Sequence, residues 1–156
     1  MPESPAEVPE GFALLEAGGG YFRQLGPVYI RREGAGAVVG LRIAEQHLNM
    51  GGVAHGGMLT TVADSALGIN ISLARGKRGG QVTVTLSADF LASARRGEWM
   101  EAHVEVTRLG RTLAYANCEL RAGERRILRA SGVFAFVDRP LPPGTPTLAD
   151  LPLDDG

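Results

Sequence analysis

The sequence predicts an α+β domain in which an antiparallel sheet of about six strands wraps around one long central helix. Three observations carry that expectation. Residues 57–74 place Met58, Val62, Ala66, Ile69 and Leu73 at i+4 and i+3 steps, the 3.6-residue period of a helix packed on a core. The flanking segments carry short apolar runs and the two-residue alternation of strands. Two such strands precede the helix and four follow it, an order without the strand–helix–strand alternation of a parallel sheet.

The opening MPESPAEVPEGF is proline-rich, and a short helix is expected near residues 11–17 before Gly18-Gly19-Gly20 breaks it. Between Val28 and Ile43, two apolar runs separated by Glu33-Gly34-Ala35-Gly36 read as a β-hairpin. After the long helix comes a turn, Lys77-Arg78-Gly79-Gly80. The next strand is expected to turn Val82, Val84, Leu86, Ala88 and Phe90 one way and Thr83, Thr85, Ser87 and Asp89 the other. Three further strands are expected at 99–108, 112–121 and 127–137, joined by turns at Gly110-Arg111 and Gly123-Glu124. From Pro140 the chain carries Pro142, Pro143, Gly144 and Pro146, the composition of an extended tail. The expected organisation is an N-terminal segment with a short helix (1–25), one domain (26–138) and a Pro-rich tail (139–156).

A chain of 156 residues with 44% apolar and 21% charged residues supports one core. Its formal charge of -1 lacks the basic excess of a nucleic-acid surface. Only the local group Arg108, Arg111, Arg121, Arg125, Arg126 and Arg129 suits an anion, and then a small phosphorylated ligand. The start has neither basic nor apolar signal regions, and no run reaches the roughly 18 apolar residues of a membrane span, so a cytoplasmic protein is expected. Cys118 has no disulfide partner and reads as an apolar filler; no His/Cys spacing suits a metal.

One residue stands apart. Asp64 is the only formal charge between Glu45 and Arg75, and a carboxylate among apolar neighbours is costly unless it is paired or functional. It is expected about two turns into a buried helix that starts at a glycine-rich turn, His55-Gly56-Gly57, with Asn49 and Gly51-Gly52 just upstream. On a helical wheel Thr60, Gly68 and Ile71 lie near it, and small Ala63 and Gly68 are expected to leave room for a ligand or partner. His47 and His103 read as solvent-facing or strand-polar.

Asn49, His55-Gly56-Gly57, an acid eight residues after Gly56 and a later strand bearing Thr83, in this order, resemble the hotdog-fold acyl-CoA thioesterases. Residues 26–137 are most like the phenylacetate-degradation-type branch of the 4-hydroxybenzoyl-CoA thioesterase superfamily. The resemblance implies the hotdog fold and hydrolysis of an acyl-CoA or aryl-CoA thioester to free acid and CoA. No metal or organic cofactor is implied, CoA entering only as part of the substrate. Asp64 would be the nucleophile or general base, the Gly56 N–H would polarise the carbonyl, and Asn49 would orient carbonyl or water. Thr83 would stand near the attacking water and Arg111 beside the CoA phosphates. Gly57, Met58 and Phe90 complete the expected substrate contacts.

The chemistry suits a helix start, whose unpaired N–H groups and partial positive charge stabilise oxygen that gains negative charge in acyl transfer. Glycines there leave the backbone open to close approach. Plainer roles stand beside the functional ones: an Asx turn for Asn49, a β-favouring residue for Thr83, a solvated charge for Arg111. His55 reads either as a general base or, more ordinarily, as a hydrogen-bonding shaper of the turn. Gly56 and Asp64 stand about 12 Å apart along one helix, too far to touch one carbon, so a two-fold dimer sharing its sites is expected. Pairing of such dimers into a homotetramer follows from the resemblance. Two alternatives remain: a non-catalytic acyl-CoA-binding hotdog protein, which the retained acid argues against, and a hydroxyacyl-thioester dehydratase, which the place of His55 ahead of the glycines argues against.

Overall fold

A computed structural model describes residues 6–76, 80–145 and 151. Its centre is α2 (Gly56–Arg75), which follows β1 (Ala13–Leu14), α1 (Gly20–Arg23), β2 (Tyr29–Glu33) and β3 (Gly36–Arg42). Four strands succeed it: β4 (Gly80–Phe90), β5 (Trp99–Leu109), β6 (Leu113–Ala122) and β7 (Arg125–Val137). They form one antiparallel seven-stranded sheet in the order β1-β2-β3-β5-β6-β7-β4.

The long helix begins where His55 holds an extended backbone and its ring accepts the Gly57 N–H. It ends at Gly76, whose left-handed φ of 62° and N–H bond to the Ser72 carbonyl close the last turn. Its buried face is Leu59, Val62, Ala63, Ala66, Leu67, Asn70 and Ile71. This corrects the expected stripe: Met58, Ile69 and Leu73 are only partly buried. Ala63 and Ile71, expected beside an open space, are fully buried. The small Ala63 and Ala66 let the sheet approach, so the row Leu59-Ala63-Leu67-Ile71 turns inward and Asp64 is left half-buried at the margin of that face.

The sheet has one strand more than expected. Residues 11–17 form no helix; Ala13 and Leu14 pair with Ile30 and Tyr29, and the Leu15 N–H bonds to the Val28 carbonyl at 2.8 Å. The free edge of β2 supplies partners that a short isolated helix lacks, and the short helix forms instead after the glycines, at Gly20–Arg23. The predicted turn at Lys77-Arg78-Gly79 and the tail residue Pro146 lie outside the described residues.

In β4 the expected alternation fails at one point. Thr83 pairs with Phe134 and Thr85 with Val133, so Val84 is an extra, unpaired residue. This bulge shifts the phase by one residue. Gln81 and Thr83 face the helix before it, and Leu86 and Ala88 pack on the core after it, whereas Val82 and Val84 are exposed.

His47 is buried, contrary to expectation. Its Nδ1 accepts the Ala44 N–H at 2.9 Å and its Nε2–H donates to the Leu25 carbonyl at 2.7 Å, tying the N-terminal segment to the loop ahead of α2. His103 is half-buried beside Glu101 on β5. Burial pushes the Cys118 thiol up to about 12, in keeping with an inert filler.

The loop between β4 and β5 is braced by Arg125, whose guanidinium meets both carboxylate oxygens of Glu98 at 2.6 Å. That contact, helped by the Arg95 N–H, holds the Glu98 carboxyl below the usual carboxylate range. A depressed folded-state pKa stabilises above the unfolded value of about 4.3 and ceases to do so as pH falls through the lower folded value. The urea midpoint of wild type is therefore expected to exceed that of Glu98→Gln at pH 7, the gap closing as pH drops below about 4; a pH-independent gap would contradict the assignment.

Candidate active site

Asp64 reaches out from the third turn of α2 and its Oδ1 accepts the Thr83 hydroxyl at 2.8 Å. The bulge at Val84 makes this contact compatible with the rest of the strand. Thr83 and Phe90 differ by seven residues and would face opposite ways in a regular strand, yet both reach α2, Phe90 lying over its first residue. One turn beyond Asp64, the Gln81 side chain donates to the Gly68 carbonyl at 2.7 Å and pins the same stretch of β4. Gln81 was not singled out in the sequence; its place two residues before Thr83 was the available signal.

A second cluster surrounds the helix start. The Gly56 N–H has no partner among the described residues, and a Cβ there would sit 3.2 Å from the Phe90 ring. The Gly57 N–H, by contrast, is taken by His55 Nδ1 at 2.8 Å. That bond places the neutral ring's proton on Nε2, so the structure shows His55 shaping the turn, with Nδ1 engaged. Asn49 Oδ1 accepts the N–H groups of Gly51 at 2.9 Å and Val53 at 3.3 Å, an Asx turn. Those two donors fix the amide's orientation, and the Nδ2 of this exposed residue has no intrachain partner among the described residues.

This turn is held from behind. The Ala54 N–H bonds to the Ala94 carbonyl at 2.8 Å and Val53 bridges Arg95, both in the loop that Glu98 and Arg125 brace. Met58 is partly buried against the core. Arg111 is exposed in the β5–β6 turn. Register places it near the Thr83 end of the sheet, since Leu113 pairs with Ala135 and Ala135 with Val82, a lateral step of about 10 Å over two strands. Asp64 and Thr83 thus meet within the chain, while Asn49, Gly56 and Phe90 gather about 12 Å away along the helix axis. Among the described residues no group of His, Cys, Asp and Glu forms a metal cage.

A helix start with a free N–H, one helix wrapped by an antiparallel sheet, and an acid–hydroxyl pair on that helix define a hotdog thioester-processing domain. The chain belongs to the thioesterase superfamily, whose model matches residues 51–128, and is a thioester hydrolase. Among its relatives, "Putative esterase PA0474" of Pseudomonas aeruginosa is 44% identical over 128 residues, 81% of this chain and 96% of that protein. Acyl-coenzyme A thioesterase 13 of Mus musculus is 31% identical over 81 residues, 51% of this chain and 56% of that protein. Thioesterase superfamily member 2 of zebra fish superimposes with a TM-score of 0.67 at 30% identity, covering 75% of this chain and 86% of that one. A mutant form of the phenylacetic acid degradation protein PaaI of Thermus thermophilus shares the fold, with a TM-score of 0.67 at 23% identity over 75% of this chain and 99% of that one. No helix among the described residues is long and apolar enough to cross a membrane.

Proposed function

We propose that this chain hydrolyses an acyl-CoA or aryl-CoA thioester to free acid and CoA, in sites shared by the two chains of a homodimer. The observation that carries the reading is the Asp64–Thr83 pair. Thr83 donates to Oδ1 and leaves Oδ2 of a half-buried carboxylate to take a proton from water or to attack the carbonyl carbon itself. The carbonyl oxygen then gains negative charge opposite the free Gly56 N–H of the second chain, whose Asn49 Nδ2 is left free to orient the carbonyl or the water. Arg111 contacts the CoA phosphates. His55 holds the turn; its engaged Nδ1 weighs against a dehydratase.

Dimerisation is supported by an unpaired edge. β4 is eleven residues long and ends the sheet, and it exposes Val82, Val84 and Phe90, with Met50 fully exposed beside Asn49. A long apolar edge strand calls for a partner. Two chains meeting along β4 bring the Asp64 of one towards the helix start of the other, and pairing of such dimers forms the homotetramer.

The test is release of free thiol from CoA thioesters by mixed chains. Asp64→Asn and Gly56→Val are each expected to be inactive. Refolded together, half the dimers are mixed and each mixed dimer holds one intact site, so activity returns to about one quarter of wild type. Recovery of nothing would refute the shared site.

A further inference from the structure

On the flank of α2 away from β4 lies a cavity of about 220 Å³, walled by Leu15, Ala17 and Phe22 of the N-terminal segment, Ser65 and Ile69 of α2, and Leu151. The wall is built: Gly18 has φ +112° and a Cβ on it would fall 2.5 Å from the Phe22 ring, so this glycine lets the ring close against the backbone. No residue named so far in the reaction uses this cavity. Its lining residue Ser65 is the next residue of α2 after Asp64, on the adjoining flank of the helix. At about 100° per residue, Ser65 and Ile69 stand about 100° and 140° round the helix from Asp64.

We propose that this cavity receives the end of the substrate's acyl chain and so makes the enzyme selective for long, flexible acyl groups. The inference rests on the acyl-CoA reading above. The arc of α2 from Asp64 to Ser65 carries Gly57, Gly68, Thr61, Ser72 and, at the helix end, Arg75, none fully buried; the Thr61 hydroxyl is turned down onto the Gly57 carbonyl at 2.9 Å, and Gln81 reaches only the Gly68 carbonyl one turn beyond Asp64. A chain can lie low across it. On a helix about 11 Å across, the arc from Asp64 to Ser65 is roughly 10 Å. At ~1.3 Å per extended carbon–carbon bond, about eight carbons reach the mouth. At ~30 Å³ for each water-sized group, the cavity then holds roughly seven more. Acyl groups longer than about eight carbons therefore enter the cavity and those of up to about fifteen fit, so dodecanoyl and tetradecanoyl groups are preferred, and a phenylacetyl group is too short to gain from it.

The experiment measures kcat and KM on butyryl-, phenylacetyl-, octanoyl-, dodecanoyl- and tetradecanoyl-CoA for wild type, Ser65→Phe at the mouth and Ile69→Asp within. In wild type kcat/KM is expected to climb from octanoyl to tetradecanoyl. Either variant is expected to raise KM for the two longest substrates roughly tenfold or more, leaving butyryl- and phenylacetyl-CoA within about twofold. A flat wild-type profile, or equal effects at every length, overturns the proposal. Hydrolysis of no CoA thioester by wild type would instead sink the proposed function. Binding of a non-hydrolysable dodecyl-CoA thioether then decides the cavity: weaker binding to Ser65→Phe supports it, and equal binding overturns it.

Discussion

Asp64→Asn is expected to keep the fold and lose hydrolysis by about a thousandfold or more, since in the proposed mechanism the substitution removes the group that accepts the proton or forms the bond to carbon. The change is isosteric and the amide oxygen still accepts the Thr83 hydroxyl, so the strand stays in register. Melting temperature and oligomeric state should match wild type while thiol release falls to background. Thr83→Val provides the graded comparison: the carboxylate survives but its Oδ1 loses a hydrogen bond worth about 1.5–3 kcal/mol at a charged acceptor, so a drop of about ten- to a hundredfold is expected. Equal turnover by Asp64→Asn and wild type would move the chemistry to another residue.

The sequence made much of this legible. The helix is legible because its glycine-rich start and apolar period are local properties, and the four strands after it lie within two residues of the expected bounds for the same reason. The interval from Gly56 to Asp64 is likewise a count along one helix. What was hidden depends on distant partners. Val84 looks like any other apolar strand residue, and only pairing with β7 shows it to be the bulge that aims both Thr83 and Phe90 at the helix. His47 looks like a surface histidine until Ala44 and Leu25 occupy both ring nitrogens. The inward face of α2 was misplaced because apolar residues occur on both of its flanks, one covered by the sheet and the other by the N-terminal segment with its cavity.

Asn70 is the strongest case of a residue whose role the sequence concealed, and its loss should produce the largest change in stability. It lies on the buried face of α2 with 4% exposure. β3 pairs with β5 only from Val39 onward, so on that side Ala37 lies beyond the ladder's end. Asn70 completes the ladder as a strand's peptide would: Oδ1 accepts the Ala37 N–H and Nδ2 donates to the Ala37 carbonyl, both at 2.9 Å, and to the Ala66 carbonyl at 3.0 Å. Asn70→Ala leaves a buried donor and acceptor unpaired, at about 1–3 kcal/mol each. At roughly 2–4 °C per kcal/mol for a domain of this size, a fall in melting temperature of about 10 °C is expected. Asn70→Leu should not restore it, because volume is not what is missing. Gly36→Ala offers an independent check from the opposite side, since its Cβ would stand 2.5 Å from Asn70 Oδ1 and force the amide away. Both variants face away from Asp64, so below their melting temperatures turnover should stay within about twofold of wild type, the reverse of Asp64→Asn; an unchanged melting temperature in Asn70→Ala would show that Ala37 finds other partners.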